Sequence, residues 1–205
     1  MIYLPLPKGR ARTGEPMRKV LAFVVHYAGA PGGHPRGMWH HFVSTAAPGK
    51  IPASSHYAIA LDGELYRFIP ETEEAFTHGA GAAGYTAFAR SLFIDAKRGV
   101  YPHDKSIGVE VCHPDASGIF TAASRRALVE LGASVVSRHR LERWQVVRHY
   151  DITAKLCPKY YVEHPVEWER LRDDIMRAAK GRTFWSFAGM GALALGIYSL
   201  NRREA

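Results

Sequence analysis

Only two of the 205 residues are cysteine, Cys112 and Cys157. That excludes a disulfide scaffold and fits synthesis in a reducing compartment. The N-terminal stretch, residues 1–16, has no continuous apolar run and is broken by Pro5 and Pro7, so it does not read as a secretory signal. No internal repeat and no low-complexity tract is found, which removes solenoids and disordered linkers. Acidic residues are also scarce: 19 against 27 lysines and arginines, a net charge of +8. A basic balance favours polyanions, whether nucleic acid, anionic lipid or an acidic wall polymer, without choosing among them. No helix-turn-helix, paired zinc finger or ribonucleoprotein motif accompanies that charge, so no nucleic-acid partner is expected. With 47% apolar and 22% charged residues, the composition is globular.

Eleven histidines stand out. Val20 to Tyr27 (VLAFVVHY) reads as a buried strand with His26 near its end. A helix is expected over Met38 to Ser44. Ser55 to Leu61 and Glu64 to Ile69 form a hairpin across Asp62-Gly63. Glu71 to Pro102 reads as a long functional loop with at most one short helix. Ser106 to Cys112 is a strand, and Thr121 caps a helix reaching His139, with Leu128, Leu131 and Val135 on one face. Trp144 to His149 is a strand, Asp151 to Tyr161 a loop, and Pro165 to Ala179 a final helix. Strands alternating with helices around one hairpin predict an α/β domain with a mixed sheet.

His26, His149 and Cys157 fall where strands give way to loops. Two imidazoles and a thiolate would make a three-ligand zinc site with one open position, the mark of a catalytic zinc. Each residue taken alone reads more readily as an ordinary core or strand-end residue, and it is the combination that points to a metal. Lys155 lies two before Cys157, and in an extended segment both point the same way. An ammonium there could hold an oxyanion and lower the thiol's pKa. Glu110 sits within an apolar strand, where an acid is costly unless paired.

The ordered blocks VVHY, SSHYAIALDGELYRFIPE, AFTHGAG, SIGVEVC and VVRHYDITAKLCPKYY resemble the zinc-dependent type 2 N-acetylmuramoyl-L-alanine amidases. That superfamily includes phage endolysins and the peptidoglycan recognition proteins. The resemblance implies a central mixed sheet flanked by helices, with Zn²⁺ in a surface groove held by His26, His149 and Cys157. It implies that Tyr57 and Glu110 position or activate the attacking water, that Lys155 stabilises the oxyanion, and that His78 contacts substrate on the groove rim. His56, alternating away from Tyr57, is expected to be structural. The H-x5-K-x-C spacing is similar to that of phage-lysozyme-type amidases. The muropeptide-recycling branch has an aspartate as third ligand, and the non-lytic recognition proteins lose the cysteine.

The implied reaction is cleavage of the amide between N-acetylmuramic acid and L-alanine in peptidoglycan, by a phage or prophage endolysin made without a signal peptide and acting on the cell wall. The alternative is a non-catalytic peptidoglycan-binding module in the same groove. Residues 1–19 read as an extension, 20–180 as a monomeric catalytic domain, and 183–200 as a hydrophobic helix. That last segment is 18 residues without a charge. At 1.5 Å per residue it would span about 27 Å, near a typical hydrocarbon core, so membrane association is expected there.

Overall fold

The computed structural model describes residues 1–79 and 84–181. Its centre is a six-stranded mixed sheet in the order β1-β4-β3-β5-β2-β6. The strands are β1 (Ile2–Tyr3), β2 (Ala22–Tyr27), β3 (Tyr57–Ile59), β4 (Leu65–Arg67), β5 (Ser106–Val111) and β6 (Val146–Arg148). The one antiparallel pair is β3–β4, the hairpin closed by Asp62-Gly63. Gly63 takes φ +88°, and a Cβ there would lie 2.8 Å from the Ala123 carbonyl oxygen, so only glycine fits the turn. All other neighbours are parallel. The edge strand β1 continues as a backbone ladder in which Leu4 and Leu6 donate to the carbonyls of Arg67 and Phe68.

Strand alternation sorts the side chains into two layers. Phe23 and Val25 of β2, Tyr57 and Ile59 of β3, and Ile107, Val109 and Val111 of β5 share one core with α3 (Ala122–His139) and the helix over 165–181. Thr121 caps α3 by accepting from the Ser124 N–H. Leu128, Leu131 and Val135 are buried, as their spacing predicts.

The opposite face carries two separate apolar clusters. Helix α1 (Pro35–Thr45) sends Phe42 against Ala58, Ala60 and Phe68, over the hairpin. Helix α2 (Ala87–Leu92) and α4 (His149–Thr153) pack around Ala22, Val24, Phe93 and Val147, over β2 and β6. Among the described residues no helix roofs β5 between them. There Gly108 lets the 76–78 segment press on the sheet, since a Cβ would stand 2.6 Å from Thr77 Cγ2. A groove opens along this strip.

The structure differs from the sequence reading around β6. Residues 143–145 form a 3-10 turn rather than strand, and the strand ends at Arg148, with His149 opening α4. The predicted Asp151–Tyr161 loop contains most of α4 and the start of α5 (Lys159–Glu163). The Asp151 carboxylate accepts from the Arg148 N–H, capping α4, and Ala154 ends it at φ 59°. Helix α2 lies within the expected 71–102 loop. Among the described residues no helix is long and apolar enough to cross a membrane. The expected span at 183–200 lies outside the described residues.

Glu71, just beyond the hairpin, ties β3 to the end of α3. It accepts hydrogen bonds from Tyr57 Oη (2.8 Å), His139 Nε2 (2.8 Å) and the Arg138 guanidinium. Burial pushes the Glu71 carboxyl up, but the bonds from His139, Arg138 and Tyr57 outweigh it and hold it at about 2, against an ordinary 4.5. A depressed carboxyl stabilises the fold above its unfolded value and loses that contribution as pH falls toward the folded one. Glu71→Gln should therefore lower Tm clearly at pH 7, and the gap to the native chain should narrow between pH 5 and pH 2. Equal gaps at both ends of that range would show that the carboxylate charge does not matter here.

Candidate metal centre and active site

Three adjacent parallel strands deliver the site. Val25 of β2 pairs with Arg148 of β6, so the next residues, His26 and His149, emerge side by side. On the other flank His26 pairs with Glu110 of β5. The ligand-type groups thus gather at the carboxyl ends of parallel strands, where open α/β sheets bind their ligands. The His26 and His149 rings lie 4.5 Å apart between centroids. Cys157 arrives after α4, with Sγ 3.9 Å from His26 Nδ1. The ligand atoms of His26, His149 and Cys157 all lie within 4.8 Å of one another, and all three residues are buried.

This donor set fits zinc. Tetrahedral coordination with ordinary bond lengths sets a thiolate and an imidazole nitrogen about 3.6 Å apart. His26 and His149 each keep one buried ring nitrogen, Nε2, with no hydrogen-bond partner. Burial, with the neighbouring imidazoles of His149 and His78 and then Lys155 adding to it, lowers the His26 value well below normal, and burial with Lys155 lowers that of His149 to about 4. Both rings are neutral, the state a metal ligand needs. Cys157 departs from the sequence expectation. Burial and the neighbouring Glu110 push its thiol well up, against weaker opposing effects that include Lys155. A thiolate in this place therefore needs a cation among the ligands.

The remaining expected residues divide. Glu110 lies with Oε1 3.8 Å from His26 Nδ1 and lines the groove. Burial raises its carboxyl to about 8, with Lys155 opposing. Lys155 is exposed and also lines the groove. Its segment is turned rather than extended, the Cys157 N–H donating to the Lys155 carbonyl at 2.6 Å. His78 is not on the rim but in the floor, 2% exposed and stacked on His26 with centroids 5.1 Å apart. Its Nε2 bonds to Ser106 Oγ and Thr77 Oγ1, leaving Nδ1 buried without a partner.

Tyr57 is the correction. Its neighbour Ala58 pairs with Glu110, so Tyr57 points to the opposite face, into the α3 core with its hydroxyl on Glu71. It does not line the groove and cannot orient water there. His56 takes the groove side but is locked, accepting from the Gly108 N–H and bonding the Glu73 carbonyl.

The groove encloses about 1010 Å³. One wall is α1 with its N-cap residue, presenting His34, Gly37, Met38 and His41 at a spacing of i, i+3, i+4, i+7 that is visible in the sequence but carries no ligand motif. Phe76, Tyr85 and His103 line it as well.

The sequence profile of the N-acetylmuramoyl-L-alanine amidases matches residues 16–160. The chain belongs to the N-acetylmuramoyl-L-alanine amidase family. The amidase CwlL of Bacillus licheniformis is 29% identical over 151 residues, 74% of this chain and 39% of its own length. A probable N-acetylmuramoyl-L-alanine amidase of the same organism is 27% identical, over 74% of this chain and 40% of its own length. The chain thus spans about two fifths of the length of these curated relatives. The amidase fold is shared with a mutant endolysin from Bacillus subtilis at TM-score 0.62 and 21% identity, covering 85% of this chain and 97% of that one. The catalytic domain of PlyG aligns at TM-score 0.64 and 15% identity, covering 87% and 94%. At these identities the likeness is one of fold.

Because the apolar clusters on both faces are closed without a metal, the ligands can be altered without emptying the core. One equivalent of Zn²⁺ should raise Tm in the native chain, since a ligand bound only by the folded state stabilises it. Cys157→Ser should fold, keep its Tm without zinc, and lose most of that rise. An equal rise in both would place the metal elsewhere.

Proposed function

We propose that the chain hydrolyses the amide joining the lactyl group of N-acetylmuramic acid to the L-alanine of the peptidoglycan stem peptide, with Zn²⁺ as its only cofactor. The observation that supports this most directly is the convergence of His26, His149 and Cys157 with Glu110 and Lys155 in one groove. The family membership and the names of the curated relatives point the same way. A zinc ion held by these ligands supplies Lewis-acid polarisation of a carbonyl and acidifies water. Glu110, whose carboxyl lies 3.8 Å from His26, would take the proton of the attacking water as the C–O bond forms, once a bound cation has offset the burial that raises it. It would then return that proton to the L-alanine nitrogen as the C–N bond breaks. Lys155 places its ammonium beside the carbonyl oxygen that becomes negative. His78, stacked on His26, holds that ring in its orientation. Tyr57 has no part in the step.

A phage or prophage endolysin is the proposed setting, acting on the cell wall as a monomeric catalytic domain over 20–180. Membrane association through 183–200 rests on its uncharged sequence alone. It is tested by fractionating the full chain beside a version ending at Gly181, and equal partition into the soluble fraction at low and high salt would discard it.

Purified peptidoglycan should release new L-alanine amino termini, stop doing so with a chelator, and resume on adding Zn²⁺. Activity undiminished in metal-stripped protein would contradict the reading. Lys155→Ala should keep zinc and lose about 10²- to 10³-fold in turnover, the range for removing one oxyanion donor. Tyr57→Phe should keep turnover within a few-fold and lower Tm through the lost Glu71 bond. A large loss of kcat without a fall in Tm would restore Tyr57 to the chemistry.

A further inference from the structure

The ligands His149 and Cys157 stand at the two ends of a nine-residue stretch that contains α4. Such a stretch must be held at a fixed span if both ligands are to face one ion. One backbone bond does part of this, Tyr150 N–H to the Cys157 carbonyl at 2.8 Å. Arg148 reaches across the rest. Its backbone is fixed in β6 beside Val25. Its Nε and Nη2 donate to Asp151 at 3.2 and 2.7 Å, and its Nη1 donates to the Tyr161 carbonyl at 2.9 Å. The guanidinium also lies over the rings of Tyr150 and Trp168, at 5.3 and 5.5 Å from their centroids. One planar fork therefore joins the residue two after His149 to the residue four after Cys157. Asp151 closes the other half: its carboxylate caps α4 at the Arg148 N–H, and its carbonyl accepts from Thr86 Oγ1 at 2.7 Å.

We infer that Arg148, with Asp151, is a positioning residue that sets the separation of His149 and Cys157 for the metal, an inference that rests on the zinc reading above. The pair is largely buried, with side chains 14% and 24% exposed, so the fork is neither loose nor fully screened. Lysine cannot replace it. A single ammonium on a flexible stem lacks the planar donors that serve a carboxylate and a distant carbonyl together.

The test is zinc affinity, measured by competition with a chromophoric chelator, in the native chain, Arg148→Lys and Asp151→Asn. The Tm of each metal-free protein is taken in parallel. Removing partners that orient metal ligands typically lowers affinity by about 10- to 100-fold, and each variant should fall in that range. In the cobalt-loaded proteins, the thiolate-to-metal absorption should weaken in both variants relative to the native chain. Affinity within twofold of native, with or without a lower Tm, would reduce the pair to a helix cap and overturn the inference. If Arg148→Lys fails to fold, the milder Asp151→Asn decides on the same criteria. A native chain that binds no zinc overturns the metal reading and this inference with it, whereas tight native binding shared by both variants overturns this inference alone.

Discussion

Everything at the site depends on the register of three parallel strands. Val25 opposite Arg148 and His26 opposite Glu110 bring two imidazoles and a carboxyl into one row at the carboxyl end of the sheet. A slip of one residue in either pairing would turn one of these side chains to the other face, because side chains alternate along a strand. The register is held by burial on both faces. Phe23 and Val25 pack under α3 while Ala22 and Val24 pack under α2 and α4. The apolar cores are in this sense what aims the polar site.

The groove follows from an incomplete roof. Helix α1 covers the hairpin side and α2 with α4 cover the β2–β6 side, so β5 is left to a thin segment lying on Gly108. Desolvation favours the neutral form of the buried imidazoles there, and Lys155 adds to it at His26 and His149. Neutral, fixed and short of hydrogen-bond partners, they are arranged for a cation.

How far the sequence could be read depended on whether the determining contact was local. The Asp62-Gly63 hairpin, the Thr121 cap and the apolar face of α3 carry their causes within a few residues, and each is found where expected. His26, His149 and Cys157, expected from the sequence as a ligand set, do gather into one candidate group, though Cys157 comes to it from beyond α4 rather than from a strand end. Helix α4 was not, since five residues show no period and its start depends on Asp151 capping Arg148. Nor were Ile2–Tyr3, which pair with β4 at the sheet edge without a strand signal of their own. Tyr57 shows the limit most clearly. Alternation separates it from His56, yet which face holds the groove is fixed by the pairing of Ala58 with Glu110, 52 positions away. The resemblance supplied a role, and the non-local pairing removed it.

The central claim is that two imidazoles and one thiolate of this chain hold a single zinc ion. It is tested most directly by the zinc K-edge X-ray absorption spectrum of the metal-loaded full chain. The account predicts a four-coordinate shell with one sulfur at about 2.3 Å and nitrogen or oxygen donors at about 2.0–2.1 Å, two of them with imidazole scattering. A shell of nitrogen and oxygen without sulfur, or one with a single imidazole, would contradict it.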